Sequence, residues 1–451
     1  MPDRHEHLRS EGDLNLSPLR AQWLEGLGPE TRTLLGEDAA VFLHQGLSTP
    51  CLNALERCEG AWLIDADGRR ILDFHGNYVH QVGFRHPKVI EAITRQLAAL
   101  PFCTRRYTNA TAVRLAQRLT ALAPGALNRV LFVPGGAEAV SMALRLARAA
   151  TGRHKTVSMW ESFHGATLDA ISIGGEAIFR QGIGPLMPGT EHVPPPDPAG
   201  CPFCEGDCTL ACARYLEYVL EKEGDVAAVV AETVRCTPFI PPPEYWQRVR
   251  AACDRHGTLL ILDEIPACLG RTGKMFAFEH YGILPDMVVI GKGLGGGVFP
   301  LAALIAREGL NEAMPERALG HFTHEKNPVA AAAALAVLDI LEDGRLLEHA
   351  QHMGRFALEH LERLRGKHPL AADVRGVGLL LGVELRRPDT GEPATLQAER
   401  VMYAALRRGL SFKITMGNVL TLVPPLTITE SEMLQAVRIL DEAFGEVSAT
   451  E

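Results

Sequence analysis

Two side chains of opposite charge follow apolar runs that are typical of buried strands. Lys292 comes shortly after the apolar segment 287–290 and precedes a glycine-rich turn, and Asp263 ends the apolar segment 258–263. A lysine is costly to place in an apolar setting, so an amine at this position suggests a chemical role. An amine can form a Schiff base with a carbonyl, and a carboxylate can keep a pyridinium nitrogen protonated. The pair therefore predicts a site for pyridoxal phosphate.

A turn of small residues predicts where a phosphate could bind. The segment 134–140, Pro-Gly-Gly-Ala-Glu-Ala-Val, follows a predicted strand and opens a predicted helix that continues through 141–150. Small residues at a helix N-terminus leave backbone N–H groups free to hold a phosphate, although a tight strand-to-helix turn has the same pattern. The segment 160–165, Trp-Glu-Ser-Phe-His-Gly, follows another predicted strand. Its Phe163 could stack on a flat ring, but a single aromatic is more commonly part of a core.

The alternation of elements indicates how these side chains are positioned. At 451 residues the chain is too long for one small core. From about 87 to 330, apolar runs alternate with helical patterns, which predicts a mostly parallel sheet wrapped by helices. The predicted strands include 129–133, 155–159, 226–232, 258–263, 286–290 and 301–305. After an alanine-rich helix at 328–342 the elements become shorter. We therefore expect a large domain at 76–335 and a smaller α+β domain built from 1–75 and 336–451.

Composition excludes several classes of protein. The net charge of −9 argues against a nucleic-acid-binding protein, which would be basic. The longest apolar stretch, 328–338, is too short to span a bilayer, and we expect no membrane partner. Residues 1–9 lack the apolar region of a signal peptide. Ten cysteines in a long chain of this kind predict reduced thiols and a cytoplasmic location.

An apolar strand that ends in Asp-Glu is also found at the magnesium site of nucleotide hydrolases. That alternative requires the loop Gly-x-x-x-x-Gly-Lys-Ser/Thr. None of the three Gly-Lys pairs has a glycine five positions before its own glycine; the pairs stand at 273–274, 291–292 and 366–367. We therefore reject the nucleotide-hydrolase interpretation.

Taken together, these segments resemble the class III aminotransferases, a family of pyridoxal-phosphate enzymes, from about Cys58 to the C-terminus. The most specific segments are Asp-Glu-Ile at 263–265, Gly-Arg-Thr-Gly-Lys-Met-Phe at 270–276 and Gly-Lys-Gly-Leu-Gly-Gly-Gly at 291–297. The resemblance implies the type I fold of these enzymes. This is an α/β fold with a mostly parallel seven-stranded sheet in the large domain and a small α+β domain from both termini.

The resemblance also implies a role for individual residues. Lys292 would form the Schiff base, and Asp263 would be the partner of the pyridinium nitrogen. The other implied cofactor contacts are Gly136, Ala137, Phe163, His164, Glu232, Ile265 and Thr323. Thr323 would reach the phosphate bound by a neighbouring subunit, which implies a homodimer with shared active sites.

The chain departs from the family pattern at positions near the substrate. Thr421 stands where many members have an arginine that holds a substrate carboxylate, and Pro266 replaces a glutamine. The segment 323–328, Thr-His-Glu-Lys-Asn-Pro, carries three ionisable groups where the family has small residues. These changes favour a small anionic amine as substrate, although exposed arginines are also common on ordinary surfaces. The candidate substrate residues are His75, Asn77, Arg105, Arg106, His324 and Lys326.

Within the family, the segments 44–53, 74–77, 319–326 and 409–413 resemble a branch that eliminates ammonia from 1-hydroxy-2-aminoethylphosphonate. We therefore expect a lyase that forms phosphonoacetaldehyde, with Lys292 as the base. The general acid for the leaving hydroxyl stays open among Lys292, His75, His80 and His324. An ω-aminotransferase is the alternative. A non-catalytic protein of the same fold is disfavoured because the main cofactor residues are retained.

Four cysteines lie within twelve residues: Cys201, Cys204, Cys208 and Cys212. Four thiolates at this spacing could hold a structural zinc ion in tetrahedral geometry. All four come from one short segment, however, whereas structural zinc sites usually combine two separated pairs. A loop with reduced, incidental cysteines is therefore slightly favoured, and both interpretations stay open.

Overall fold

The structure is a computed structural model that describes residues 17–45, 51–197, 201, 203–204, 208–316 and 318–449. The sequence of residues 1–50 predicts charged helical turns broken by loops, and residues 1–16 and 46–50 of this segment lie outside the described residues. The helices are α1 Pro18–Glu25, α2 Pro29–Val41, α3 Pro87–Ala99, α4 Ala110–Leu122, α5 Gly136–Thr151, α6 Leu168–Ile173, α7 Ala177–Arg180, α8 Ala211–Glu223, α9 Pro243–His256, α10 Glu308–Asn311, α11 Pro328–Asp343, α12 Leu346–Lys367, α13 Thr395–Arg407 and α14 Glu430–Ser448. The strands are β1 Leu55–Glu59, β2 Trp62–Asp65, β3 Arg70–Asp73, β4 Leu127–Val133, β5 Lys155–Met159, β6 Thr190–Val193, β7 Val226–Glu232, β8 Leu259–Asp263, β9 Met287–Ile290, β10 Ala302–Arg307, β11 Ala371–Val377, β12 Leu380–Leu385, β13 Leu410–Ser411, β14 Lys413–Thr415 and β15 Val419–Leu422.

Residues 87–347 form one compact unit around a sheet. Its seven strands among the described residues follow the order β4-β10-β9-β8-β7-β5-β6. The adjacent strands β9, β8, β7, β5 and β6 run parallel to one another. The strand β10 runs antiparallel to both β9 and β4. The predicted mostly parallel sheet is therefore confirmed.

The central strands β7 and β8 are buried at every residue. Such continuous burial occurs because crossover helices cover both faces of a parallel sheet. Here α9 makes the crossover between these two strands. Their register places Glu232 opposite Asp263, so both strands end at the same level. In open α/β sheets, ligands bind outside the carboxyl ends of the strands.

The second compact unit consists of residues 1–86 and 348–451. In its described part, one sheet has the order β1-β2-β3-β13 and another the order β11-β12-β15-β14. The parallel pairing of β13 with β3 joins the N-terminal and C-terminal parts of the chain. Helices α13 and α14 pack on each other beside these sheets. The expected α+β domain built from both termini is present.

The units divide at His86/Pro87 and at Leu347/Glu348. The sequence-based boundaries lay earlier in the chain at both places, at 75/76 and 335/336. In the part of the chain that the structure describes, no helix is both long enough and apolar enough to cross a bilayer.

Candidate active site

The carboxyl edge of the large sheet carries a buried acid–imidazole pair. The Nδ1 atom of His164 lies 2.8 Å from the Oδ2 atom of Asp263. Both residues are only 2% exposed. The other oxygen of Asp263 accepts a hydrogen bond of 3.1 Å from the backbone N–H of Ile265. Burial alone would lower the pKa of His164, but the hydrogen bond and charge of Asp263, aided by Glu232, hold this pKa above its ordinary value.

Glu232 orders the backbone around this pair. One carboxylate oxygen accepts a hydrogen bond of 3.3 Å from the backbone N–H of Phe163, and the other accepts one of 3.1 Å from that of Cys236. Phe163 is 40% exposed, and its ring centroid lies 4.7 Å from that of Phe179. Glu232 therefore fixes the segment that carries a partly exposed aromatic ring.

The N-terminus of α5 is closely approached by neighbouring backbone and side chains. Gly165 has a φ of 125°, and a Cβ atom placed there would lie 2.5 Å from the Cβ atom of Ala137. A Cβ atom on Gly136 would lie 2.6 Å from a terminal carbon of Ile265. Any larger residue at Gly165 would displace the first turn of α5. Gly136 and Ala137 are the first residues of this helix, and a helix N-terminus is where anions bind.

Lys292 follows β9 after a single glycine and opens a short 3-10 helix, Lys292–Gly295. Its backbone has a φ of 49°, in the left-handed region that non-glycine residues seldom adopt. Strain of this kind is typical of functional sites, since the surrounding structure has to enforce it. The strand β9 is hydrogen-bonded next to β8, so Lys292 follows the strand that adjoins the one ending in Asp263.

The model of the family described as aminotransferase class-III matches residues 45–444. The chain belongs to the class III aminotransferase family. Among similar proteins, the (R)-1-hydroxy-2-aminoethylphosphonate ammonia-lyase of Vibrio splendidus is 46% identical, over 98% of this chain and 96% of that protein. The leucine/methionine racemase of Thermococcus litoralis is 34% identical, over 87% of this chain and 90% of that protein. An (S)-enantioselective omega-transaminase from Thermomicrobium roseum shares the fold with a TM-score of 0.86 and 32% identity, covering 92% of this chain and 98% of that structure.

Class III aminotransferases depend on pyridoxal phosphate, and the residues at this edge of the sheet fit that cofactor. A buried carboxylate suits a protonated ring nitrogen, the N-terminus of α5 suits a phosphate, and a lysine amine suits the carbonyl. The residues that would hold the group are those expected from the sequence: Gly136, Ala137, Phe163, His164, Glu232, Asp263, Ile265 and Lys292. Their individual contacts with the cofactor stay predictions.

Several candidate substrate residues lie on two adjacent loops of the large unit. The side-chain amide of Asn109 donates a hydrogen bond of 3.0 Å to the backbone oxygen of Lys326. The rings of Phe102 and His324 meet edge to face with centroids 5.4 Å apart. The loops 102–109 and 322–327 are therefore neighbours, and we call them the polar loops. Their exposed residues include Arg105, Arg106, Thr323, His324 and Lys326.

The remaining candidates lie in the smaller unit. The carboxylate of Asp73 accepts hydrogen bonds from the backbone N–H groups of His75 (3.1 Å) and Gly76 (2.8 Å), which shapes the turn that presents the exposed side chain of Asn77. His80 is buried, with its Nε2 atom 3.3 Å from the backbone oxygen of Asp73. This contact indicates a supporting role for His80 in the turn.

Thr421, which replaces the family arginine, is buried in the smaller unit. Its hydroxyl lies 2.7 Å from that of Thr415 on the neighbouring strand β14. The two hydroxyls satisfy each other, and the position offers no positive charge. A bidentate clamp for a carboxylate is absent there.

The cysteine segment gives no support to the zinc hypothesis. Within the described ranges, no group of three or more His, Cys, Asp or Glu side chains is arranged to hold a metal ion. Cys201, Cys204, Cys208 and Cys212 are free thiols, two of them buried. Residues 202 and 205–207 of this segment lie outside the described residues. Hydrogen bonds from the hydroxyl and N–H of Thr209 lower the pKa of the Cys204 thiol to about 6.

Sequence reasoning missed two charged residues near the site. Glu264 accepts three hydrogen bonds, from the hydroxyl of Thr233 and from the N–H groups of Ala277 and Phe278. Arg235 follows β7 and is only 6% exposed. The sequence contains the pattern that would have identified both. Each is an ionisable residue at or just after the end of an apolar strand, as Lys292 and Asp263 are.

Proposed function

We propose that this class III aminotransferase family member is a pyridoxal-phosphate-dependent lyase. The proposed reaction converts 1-hydroxy-2-aminoethylphosphonate to phosphonoacetaldehyde and ammonia. The observation that carries the proposal is the 46% identity, over 98% of the chain, to a protein named for this activity. The neutral pair formed by Thr421 and Thr415 supports it, because a transaminase that alternates with a dicarboxylic acid usually needs a positive clamp.

Pyridoxal phosphate, when bound, supplies a carbonyl that captures the substrate amine and an electron-withdrawing ring that stabilises a carbanion. The chain's own residues prepare the site for this chemistry. Asp263 holds a fixed negative charge at the strand end, and His164 holds one of its oxygens in place. Because both are buried, water does not screen the interaction.

Lys292 is proposed to move the protons. Its Nζ atom removes a proton from the substrate carbon that bears nitrogen, and the neighbouring carbon then loses its hydroxyl as water. The enamine that remains takes up water after its release and gives phosphonoacetaldehyde and ammonia. Hydroxide is a poor leaving group, so a general acid has to protonate it. The ammonium form of Lys292 is one candidate. His75 and His324 are the other exposed or half-buried candidates, whereas His80 is disfavoured because it is buried against the turn.

The polar loops are proposed to recognise the phosphonate. Arg105, Arg106 and Lys326 place positive charge on these two adjacent segments. Arginine is suited to anions with several oxygens because its planar group donates two parallel hydrogen bonds. His324 and the turn with His75 and Asn77 stay predicted substrate contacts.

The test is ammonia release by purified holoenzyme from 1-hydroxy-2-aminoethylphosphonate, with and without pyruvate. Many turnovers without any keto acid are expected for a lyase. Stalling that only pyruvate relieves would contradict the proposal, because a transaminase stops once its cofactor holds the amine. The matched control is 2-aminoethylphosphonate, which lacks the leaving hydroxyl and which we expect to release no ammonia.

A second candidate function is that of an ω-aminotransferase. It is supported by the resemblance to solved transaminases, such as the omega-transaminase of Thermomicrobium roseum at 32% identity. In the pyruvate experiment this function predicts alanine formation at the same rate as substrate consumption.

We also propose a cytoplasmic homodimer with active sites shared between subunits. The exposed position of Thr323 supports it, since the family resemblance assigns this residue to the phosphate bound by the neighbour. The structure forms no disulfide among the ten cysteines, all of which lie in the described ranges, and reduced thiols are usual in the cytoplasm. Light scattering of the holoenzyme at the mass of a single chain would contradict the dimer.

A further inference from the structure

Arg235 is a nearly buried arginine that joins two carboxylates. Its Nη1 atom lies 3.2 Å from Oε2 of Glu161, and its Nη2 atom lies 2.9 Å from Oε1 of Glu176. Its side chain is 6% exposed, whereas those of Glu161 and Glu176 are 44% and 24% exposed. The guanidinium carbon also lies 5.2 Å from the ring centroid of Phe239. The arginine thus has a fixed position from which it holds two more exposed acids.

Both acids belong to segments that contact Phe163. Glu161 stands two residues before Phe163. Glu176 is the residue that precedes α7, and α7 carries Phe179, whose ring packs against that of Phe163 at 4.7 Å. One guanidinium group therefore fixes the backbone just before Phe163 and the helix that supports its ring.

Glu232 provides a third connection to the same ring. Its carboxylate accepts a hydrogen bond from the backbone N–H of Phe163. It also accepts one from the N–H of Cys236, the residue directly after Arg235. The segment 232–236 therefore holds Phe163 through a backbone contact and through the two ion pairs of Arg235.

We propose that Arg235 is a positioning residue that sets the orientation of the Phe163 ring and, through it, the affinity for pyridoxal phosphate. The inference rests on the proposed stacking of Phe163 on the cofactor, but not on the lyase reaction. Phe163 is 40% exposed, so its own packing does not fix the ring. The guanidinium reaches the two acids through two separate nitrogens, one for each carboxylate, whereas a lysine would have to bring both acids to a single nitrogen atom.

The test compares Arg235→Lys with wild type. We expect the dissociation constant for pyridoxal phosphate, measured on apoenzyme, to increase by about tenfold, which is the size of effect usual for a lost hydrogen bond between charged groups. The visible circular dichroism of the bound cofactor should decrease as well, because this signal depends on how rigidly the protein surrounds the ring. Glu176→Gln, which keeps the shape of the side chain, should produce a smaller change in the same direction.

Arg250 offers a matched control in the same unit. It also joins two carboxylates, with distances of 2.8 Å to Asp254 and 2.8 Å to Asp286, and its side chain is 16% exposed. Asp286 precedes β9, whereas Lys292 follows it, so this pair lies at the opposite end of the strand. Arg250→Lys should lower the urea concentration at which the apoenzyme unfolds and leave the dissociation constant for the cofactor unchanged.

Two results with the arginine variants would overturn the inference. One is a dissociation constant and a circular dichroism signal for Arg235→Lys that both stay within about twofold of wild type, a change too small for a lost charged hydrogen bond. The other is an equal loss of affinity in Arg250→Lys, which would mean that reduced stability alone weakens cofactor binding. Phe163→Leu tests the premise separately, namely that the ring of Phe163 stacks on the cofactor. If this variant binds the cofactor as tightly as wild type, the inference fails with its premise, while the lyase proposal is still tested independently by ammonia release.

Discussion

The large unit contains two polar regions with opposite physical character. At the carboxyl edge of the sheet, His164, Asp263 and Glu232 are 2%, 2% and 6% exposed. His164 is hydrogen-bonded to Asp263, and Glu232 accepts a hydrogen bond from the backbone N–H of Phe163, the residue before His164. The polar loops, in contrast, carry exposed arginines and an exposed lysine on backbone that is joined mainly by Asn109 and by one ring contact. A buried edge can hold a cofactor in one orientation, while exposed loops can change their charges without disturbing a core.

The relatives of this chain are consistent with a constant buried edge that holds the cofactor and with exposed loops that vary. A racemase, a lyase and a transaminase all resemble this chain over most of its length. Fold alone does not select between such reactions, because function depends on the side chains of the site. The comparison therefore predicts that changes at the buried edge stop catalysis altogether, and that changes in the polar loops alter the choice of substrate.

The largest expected effect comes from removing the amine at the buried edge. Lys292→Ala should reduce kcat by roughly 10³-fold or more, because a positioned general base contributes that much. Steady-state ammonia release measures the loss. Lys274→Ala, at an exposed lysine eighteen residues earlier, is the control and should behave as wild type. Substantial turnover in Lys292→Ala would remove the lysine from the mechanism.

Asp263 and Glu264 are adjacent, and their separate contacts predict separate effects. Asp263→Asn should lower kcat by about 10²-fold or more, because it removes a fixed charge from a water-excluded site. Glu264→Gln should mainly lower the free energy of unfolding, because Glu264 holds the backbone of Ala277 and Phe278. Rate measurements and urea titrations of both variants test this. A large loss of rate in Glu264→Gln at unchanged stability would show that Glu264, and not only Asp263, contributes to catalysis.

Substitutions in the polar loops should change the binding of the substrate more than the rate of the reaction. Arg105→Ala and Arg106→Ala should each raise KM for the phosphonate by about tenfold and change kcat little, since each removes a charged contact made before and during the reaction. Arg114→Ala, an exposed arginine on α4, is the matched control. If both loop variants match wild type, the anion is bound elsewhere.

A further effect is a pH dependence of stability at the buried edge. Burial raises the pKa of Glu264 from its ordinary value to about 7. The folded state therefore binds this proton more tightly than the unfolded state. The resulting stabilisation is complete below the unfolded pKa near 4.5 and is lost as pH rises through about 7, with a maximum of about 3 kcal/mol.

Urea unfolding between pH 5 and 8 measures this dependence. The free energy of unfolding of the wild type should fall with rising pH more steeply than that of Glu264→Gln. Equal slopes would mean that Glu264 does not titrate in this range. Substitutions in the polar loops should leave the slope unchanged, because those side chains are exposed.

Much of the buried edge could be predicted from the sequence. The limits expected for the strands at 155–159 and 226–232 are those of β5 and β7, and the helix expected at 328–342 is α11 within one residue. These elements carry long apolar patterns, which set burial and hence secondary structure. The strand β6 is not among the strands predicted from the sequence, and it directly precedes a proline-rich segment. A four-residue edge strand carries too short a pattern to be recognised.

The contacts of single ionisable side chains could not be predicted. The bond between His164 and Asp263 joins residues 99 positions apart, and no local pattern contains that separation. The ion pairs of Arg235 likewise depend on where the loops after β5 and β7 meet. The sequence indicated which residue types could do the chemistry, and the sheet topology determined which of them meet.

The most direct test of the account counts product molecules for each active site in the absence of keto acid. Purified holoenzyme is mixed with excess 1-hydroxy-2-aminoethylphosphonate, and phosphonoacetaldehyde is measured over time. A lyase should form many molecules steadily for each site, with the visible absorption of the cofactor restored when the substrate is exhausted. Formation that stops at one molecule for each site, with that absorption lost until pyruvate is added, would contradict the lyase proposal.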